Sequence, residues 1–228
     1  MTLQHVDILF QLIVFLFAIS VHESSHAWMA NLRGDPTARM LGRISLNPTR
    51  HIDPIGTLLL PAIAMFFHIP VLGWAKPTPV DPRNFKNPVV DDILTAVVGP
   101  ISNFAVAICA VLMLASIKLV SPLGRQIVFG IPQGFIPTDS NSFLVPLCLL
   151  VYELMVINIV LGVFNLIPVP PLDGSHVLRH LLPSGILRIY DVLGTFALLL
   201  LVFRGGGLLA GLINPAVGMF NYILLRIG

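Results

Sequence analysis

Three residues near the end of the first apolar segment could do chemistry together. Val21-His22-Glu23-Ser24-Ser25-His26 carries the pattern H-E-x-x-H. On an α-helix, residues four apart leave the same face one turn apart. Both imidazoles can therefore reach one metal ion, and zinc takes imidazole nitrogen at about 2.0–2.1 Å. Glu23 follows His22 directly and can reach water on the metal without taking a ligand position, which suits a general base. The chemistry this trio implies is metal-assisted hydrolysis.

The motif also sits where ionisable groups are costly. At about 1.5 Å per residue, His22 lies roughly 20 Å along a helix beginning near Ile8. A charged side chain at the centre of a membrane helix costs about 2.5–3.5 kcal/mol on insertion scales. Three ionisable residues within five positions need a compensating partner, and a metal ion in a water-accessible cavity supplies one.

Two histidines do not complete a catalytic zinc site, which takes three protein ligands plus water. The best candidate for the third is in Asn165-Leu166-Ile167-Pro168-Val169-Pro170-Pro171-Leu172-Asp173-Gly174. Three prolines in four positions cannot continue a helix, and each favours an extended residue before it. Irregular backbone at membrane depth is tolerated only where protein or a polar cavity covers it. Asp173 is the one carboxylate in that stretch. An Asp-Gly pair also suits a plain surface turn, but beside a two-histidine motif that lacks a ligand the metal reading is the stronger.

Together these patterns resemble the site-2 protease family of intramembrane metalloproteases. H-E-x-x-H on one apolar helix is joined by N-x-x-P-x-x-P-L-D-G after a later one, and Gly99-Pro100-Ile101-Ser102-Asn103 is similar to that family's G-P-x-x-N element. The stretches Gly42–Pro48, His51–Gly56 and Gly73–Pro77 look like its compact bacterial branch. The resemblance covers roughly Val6 to Leu182. It implies zinc, one ion per chain, held by His22, His26 and Asp173, with Glu23 as catalytic base. It implies cavity-side or substrate-binding roles for Asn103 and Asn165, and the proline run Pro168–Pro171 would offer an extended edge to an unwound substrate. The implied activity is hydrolysis of peptide bonds in or next to transmembrane segments of membrane-protein substrates, as in regulated intramembrane proteolysis.

The elements that must position these residues follow from composition. The 228 residues are 56% hydrophobic and only 11% charged, against about 25% charged in soluble domains. A formal charge of +2 gives no case for nucleic acid. Five apolar segments are each near the ~20 residues that a spanning helix needs. They run from about Val6 to Ala30, Asp92 to Val120, Phe143 to Ile167, Ile186 to Phe203 and Leu208 to Leu225. The expected fold is an all-α polytopic membrane protein, one transmembrane protease domain over 1–228. Its catalytic core spans about 6–182, and a C-terminal helical hairpin about 186–226. The N-terminal run lacks the basic flank and small-residue cleavage site of a removable signal. Cys109 and Cys148 read as small buried hydrophobes.

Arg33, Arg39, Arg43 and Arg50 closely follow the first helix, and Lys76, Arg83 and Lys86 mark the next loop. The positive-inside rule puts both on the cytoplasmic side of the cell membrane. If His26 and Asp173 share a metal, an even number of crossings must separate them. The ambiguous run Ile55–Val71 is therefore expected to re-enter or form a hairpin, with a short β-hairpin near Arg43–His51. Glu153 and Asn158 should face the helix bundle. His51 and Asp53 read as loop-structuring residues, and His176 as helix packing. A metal transporter would need ionisable groups on several helices, and a decayed scaffold would be expected to lose Glu23 first.

Overall fold

The computed structural model describes residues 3–59, 63, 74–135 and 142–227. Its major elements are helices, and no strand occurs among the described residues. We number them α1 (Leu3–Arg33), α2 (Thr37–Met40), α3 (Pro88–Val120), α4 (Pro122–Gly130), α5 (Leu144–Asn165), α6 (Gly174–Arg179), α7 (Ser184–Arg204) and α8 (Gly206–Arg226). Helices α1, α3, α5, α7 and α8 are long and apolar enough to cross a membrane.

Period-four stripes of small and polar residues build the core. On α1 the buried stripe is Val14, Ala18, His22, His26 and Ala30. On α3 it is Asp91, Thr95, Gly99, Asn103, Ala107, Val111 and Ala115. Small residues let apolar helices approach closely where lipid gives no hydrophobic drive to associate. The same close approach puts the polar members of the two stripes against one another. The dry end of the bundle is packed by Ala110, Leu114, Ile127, Cys148 and Met155. Cys109, expected to be buried, lies on the outer face of α3 and is exposed.

Two boundaries moved for the same physical reason. Helix α3 begins at Pro88, ahead of the expected Asp92, and α1 continues to Arg33. Polar residues at those ends looked like loop, but they pair with each other. Arg33 Nη2 meets Asp91 Oδ1 at 2.5 Å, and Asp91 has no exposed surface.

The run Ile55–Val71 falls mostly outside the described residues; only a wide helical turn over Pro54–Leu59 can be stated. The segment 43–51 is not a β-hairpin. Asn47 caps a short 3-10 turn over Pro48–Arg50, accepting from the Thr49 N–H at 3.1 Å. The buried Arg43 guanidinium occupies the centre and donates to the carbonyls of Arg50, Lys76 and Pro77. Those carbonyls are therefore taken by a side chain rather than by a ladder.

The C-terminal hairpin turns at Gly205, between α7 and α8. Its helices are 6% and 11% buried over their spanning windows, against 33–39% for α1, α3 and α5, so most of its surface is left for lipid. Phe220 and Leu224 attach α8 to the core, and Lys118 Nζ donates to the carbonyls of Leu224 and Leu225 at 3.3 and 2.9 Å. That ammonium caps the end of α8, where helix carbonyls lack partners.

Candidate metal centre

The stripe on α1 delivers His22 and His26 to one point. Their rings meet edge to face, with centroids 4.6 Å apart, and the two Nε2 atoms are 3.1 Å apart. Asp173 Oδ2 lies 3.1 Å from His22 Nε2 and 3.4 Å from His26 Nε2. Among the described residues, these three form the only group of His, Cys, Asp or Glu able to hold a metal.

The outer nitrogens decide what the inner ones are. His26 Nδ1 faces the Thr95 carbonyl at 2.6 Å, and His22 Nδ1 faces Asn103 Oδ1 at 2.7 Å. Both partners can only accept, so each Nδ1 carries the proton. Each Nε2 then presents a lone pair. Asp173 Oδ2 is buried and accepts no hydrogen bond. In the neutral rings two lone pairs and a buried carboxylate oxygen thus converge with no donor between them, an arrangement that a metal cation satisfies. Asp173 brings a carboxylate oxygen to the same point as the two imidazole nitrogens.

Gly99 makes the room. A Cβ there would fall on the His26 imidazole and come within 2.7 Å of His22 Cε1. The donor set of two imidazoles and a carboxylate suits zinc. The partners behind each imidazole fix tautomer and orientation, as outer ligands of metal-bound histidine generally do.

Asp173 arrives by a fold-back after α5. Helix α5 ends at Asn165, and the chain turns through a cis bond between Pro170 and Pro171 before α6. A side chain at Gly174 would strike the Leu166 backbone at the end of α5, so glycine is needed where the loop closes. Pro168–Pro171 is not an extended edge. Val169 N–H donates to the Ile167 carbonyl at 2.8 Å, and Leu172 N–H to Val169 at 2.9 Å. The donors a substrate strand would use are consumed by turns.

Helix α6 is tethered from the other side. His176 and His180 both reach Asp92 on α3, at 3.0 and 2.8 Å. His176 thus ties down the helix that Asp173 begins, which is packing of a specific kind. Arg179 on α6 pairs with Asp191 on α7 at 2.7 Å.

Glu23 is held by a residue that sequence reasoning missed. Thr78 donates to Glu23 Oε2 from its backbone N–H at 2.9 Å and from its hydroxyl at 2.7 Å. Thr78 lies in a strap pinned on both sides. Arg43 grips the carbonyls of Lys76 and Pro77, and the buried Asp35 accepts from Asp81 N–H at 2.7 Å. The only signal in the sequence was a threonine between Pro77 and Pro79.

The remaining expected residues divide. Asn103 is fully buried and touches His22, as just described. Asn165 turns its amide to the Leu161 carbonyl of its own helix at 3.0 Å. Pro168 offers its carbonyl to Tyr190 Oη at 3.0 Å. His51 reaches the Ser45 carbonyl at 2.7 Å, and Asp53 accepts from the N–H groups of Ile55 and Gly56, so both shape loops. Burial holds His51 below the usual histidine range, with the nearby Arg43 cation adding to it.

Comparison with known proteins agrees with this geometry. The family model described as Peptidase family M50 matches residues 10–202. A Bacillus subtilis (strain 168) protein named "Putative zinc metalloprotease YwhC" is 34% identical over 174 residues, which cover 76% of this chain and 69% of that protein. No solved structure matches. The family match spans the motifs and the metal-ready geometry, and the chain belongs to peptidase family M50, the site-2 protease family of membrane zinc metalloproteases.

Proposed function

We propose that the chain is an intramembrane endopeptidase. It would hydrolyse peptide bonds in or next to transmembrane segments of membrane-protein substrates, in the manner of regulated intramembrane proteolysis. The observation that carries the reading is the convergence of His22 Nε2, His26 Nε2 and Asp173 Oδ2 within a bundle of apolar helices, with Glu23 adjoining. The basic residues after α1 favour a site toward the cytoplasmic side of the cell membrane.

His22, His26 and Asp173 would hold the zinc. When bound, the ion supplies Lewis acidity toward a water molecule and the scissile carbonyl. Glu23 takes the proton of the attacking water and returns it to the leaving amine. Thr78 keeps Glu23 Oε2 in place and takes none of the capacity of Oε1. The packed stripes around His22 and His26 exclude bulk water from the ligand side. A helical substrate must unwind locally, because its peptide groups are occupied in its own i→i−4 bonds.

The test is cleavage of a panel of model transmembrane helices by the purified full-length chain in detergent micelles. Wild type, Glu23→Gln and chelator-treated wild type are compared, with zinc content measured in parallel and a soluble unfolded protein as control substrate. Cleavage of transmembrane substrates by untreated wild type alone, with about one zinc per chain in wild type and Glu23→Gln, supports the reading. Cleavage that survives Glu23→Gln, or that is confined to the soluble control, overturns it.

A further inference from the structure

Behind His22 runs a line of side chains that ends on a different helix. Asn158 of α5 donates from Nδ2 to the Leu154 carbonyl at 2.8 Å. Its Oδ1 accepts from Asn103 Nδ2 at 2.8 Å. Asn103 Oδ1 accepts from His22 Nδ1 at 2.7 Å. Asn103 and Asn158 both have no exposed surface, so no water competes for these bonds.

The direction of this line is forced from its far end. A backbone carbonyl can only accept. Asn158 must therefore turn its NH₂ to Leu154 and its oxygen to Asn103. Asn103 must then turn its NH₂ to Asn158, with a further weak reach to the Ala18 carbonyl at 3.4 Å. Its oxygen is left for His22, so the His22 proton must be on Nδ1. The lone pair on Nε2, the one aimed at Asp173, is thus set by Leu154 and Asn158, two side chains away. Were Asn103 to flip, its NH₂ would face Nδ1. The proton would move to Nε2, and His22 would cease to be a ligand.

We infer that Asn158 is a positioning residue of the metal centre: it fixes the amide orientation of Asn103 and through it the metal-binding tautomer of His22. The inference rests on reading His22, His26 and Asp173 as the zinc site. It makes α5 a contributor to the metal site through an uncharged side chain in mid-helix, besides carrying the Asp173 loop. An isolated asparagine among leucines and valines would otherwise be a costly choice.

The experiment measures zinc affinity of the full-length chain in detergent micelles, by competition with a chromophoric chelator and without any substrate. Wild type, Asn158→Leu and Asn158→Asp are compared. A buried acid at this position stays neutral; its hydroxyl can donate to Leu154 and its carbonyl can accept from Asn103. Asn158→Leu should weaken zinc binding about 10–100-fold, the usual range for loss of an outer partner. Asn158→Asp should restore it to within about threefold of wild type. Wild-type affinity in Asn158→Leu overturns the inference, as does equal weakening in both variants, which would report packing alone.

A second measurement needs no variant of Asn158. Metal-free wild type labelled with ¹⁵N-histidine should show His22 as the Nδ1–H tautomer, its signal assigned by loss in His22→Gln. An Nε2–H tautomer overturns the inference even if Asn158→Leu does not fold. Wild type that binds no zinc would defeat the site reading itself, and the positioning role with it. Zinc-replete wild type with an unaffected Asn158→Leu defeats only the positioning role.

Discussion

Thr78 grips Glu23 twice through one carboxylate oxygen, from its backbone N–H at 2.9 Å and its hydroxyl at 2.7 Å. The strap that carries Thr78 thereby fixes the residue expected to move protons, while α1 fixes the residues expected to hold metal. A hydrogen bond to a charged group contributes about 1.5–3 kcal/mol. Thr78→Val keeps the shape and removes the hydroxyl donor. Turnover of a model transmembrane substrate should fall about tenfold or more, with zinc content unchanged. Thr78→Ser should stay close to wild type. Undiminished turnover in Thr78→Val would show that the hydroxyl does not orient Glu23.

Gly99→Ala tests the cradle. The new methyl would be driven onto the His26 ring and toward His22 Cε1. Neither imidazole can swing aside freely, because each is held through Nδ1 by Thr95 or Asn103. Alanine is about 1 kcal/mol better than glycine inside a helix, so α3 itself should not weaken. Zinc affinity should fall at least ~10–100-fold while helical circular dichroism is retained. A Gly99→Ala protein with full zinc occupancy would contradict the close approach of α3 to the site.

Asp35 gives a pH-dependent prediction. It is fully buried and accepts from Thr37 Oγ1 at 2.5 Å, Asp81 N–H at 2.7 Å and Asn84 Nδ2 at 2.8 Å. Burial alone would raise its carboxyl, but these donors outweigh it and hold it below the usual value. A lowered folded-state value means that the stabilisation is present above the unfolded value of about 3.9 and fades as pH falls through the folded one. Asp35→Asn should cost about 1–3 kcal/mol at pH 7. The gap from wild type should narrow below about pH 4, read by thermal unfolding in detergent. A gap that stays constant down to pH 2 would assign the effect to shape and not to charge.

What the sequence made legible was whatever carried its own chemistry. His22, Glu23 and His26 were visible because helix periodicity alone puts two imidazoles on one face. Asp173 was visible because three prolines forced a break beside a lone carboxylate. The five long helices followed from hydropathy. The rest depended on distant pairing. Arg33 and Asp91 looked like loop residues until each was seen to neutralise the other at helix ends. Thr78 is 55 positions from Glu23, and nothing local to it announces a carboxylate. Pro168–Pro171 was expected to be extended, since proline disfavours helix, but its one N–H, on Val169, and that of Leu172 just after it found partners within the turn itself.

The C-terminal hairpin was expected to stand outside the catalytic core, yet α7 touches the loop that presents Asp173. A Cβ at Gly194 would collide with the Pro170 ring, and Tyr190 Oη donates to the Pro168 carbonyl at 3.0 Å. Two bracing contacts one helical turn apart hold this loop from outside. Gly194→Val adds bulk against a rigid ring, and overpacking of this kind costs about 1–3 kcal/mol. The strain should appear at Asp173, because Gly174 pins the far side of the loop against α5. Zinc affinity should therefore fall about tenfold, whereas Tyr190→Phe, which loses one exposed hydrogen bond, should change it by less than about threefold. Chelator competition on the two variants checks this. Unchanged affinity in Gly194→Val would mean that the loop holds Asp173 without α7, and that the hairpin serves only the surrounding lipid.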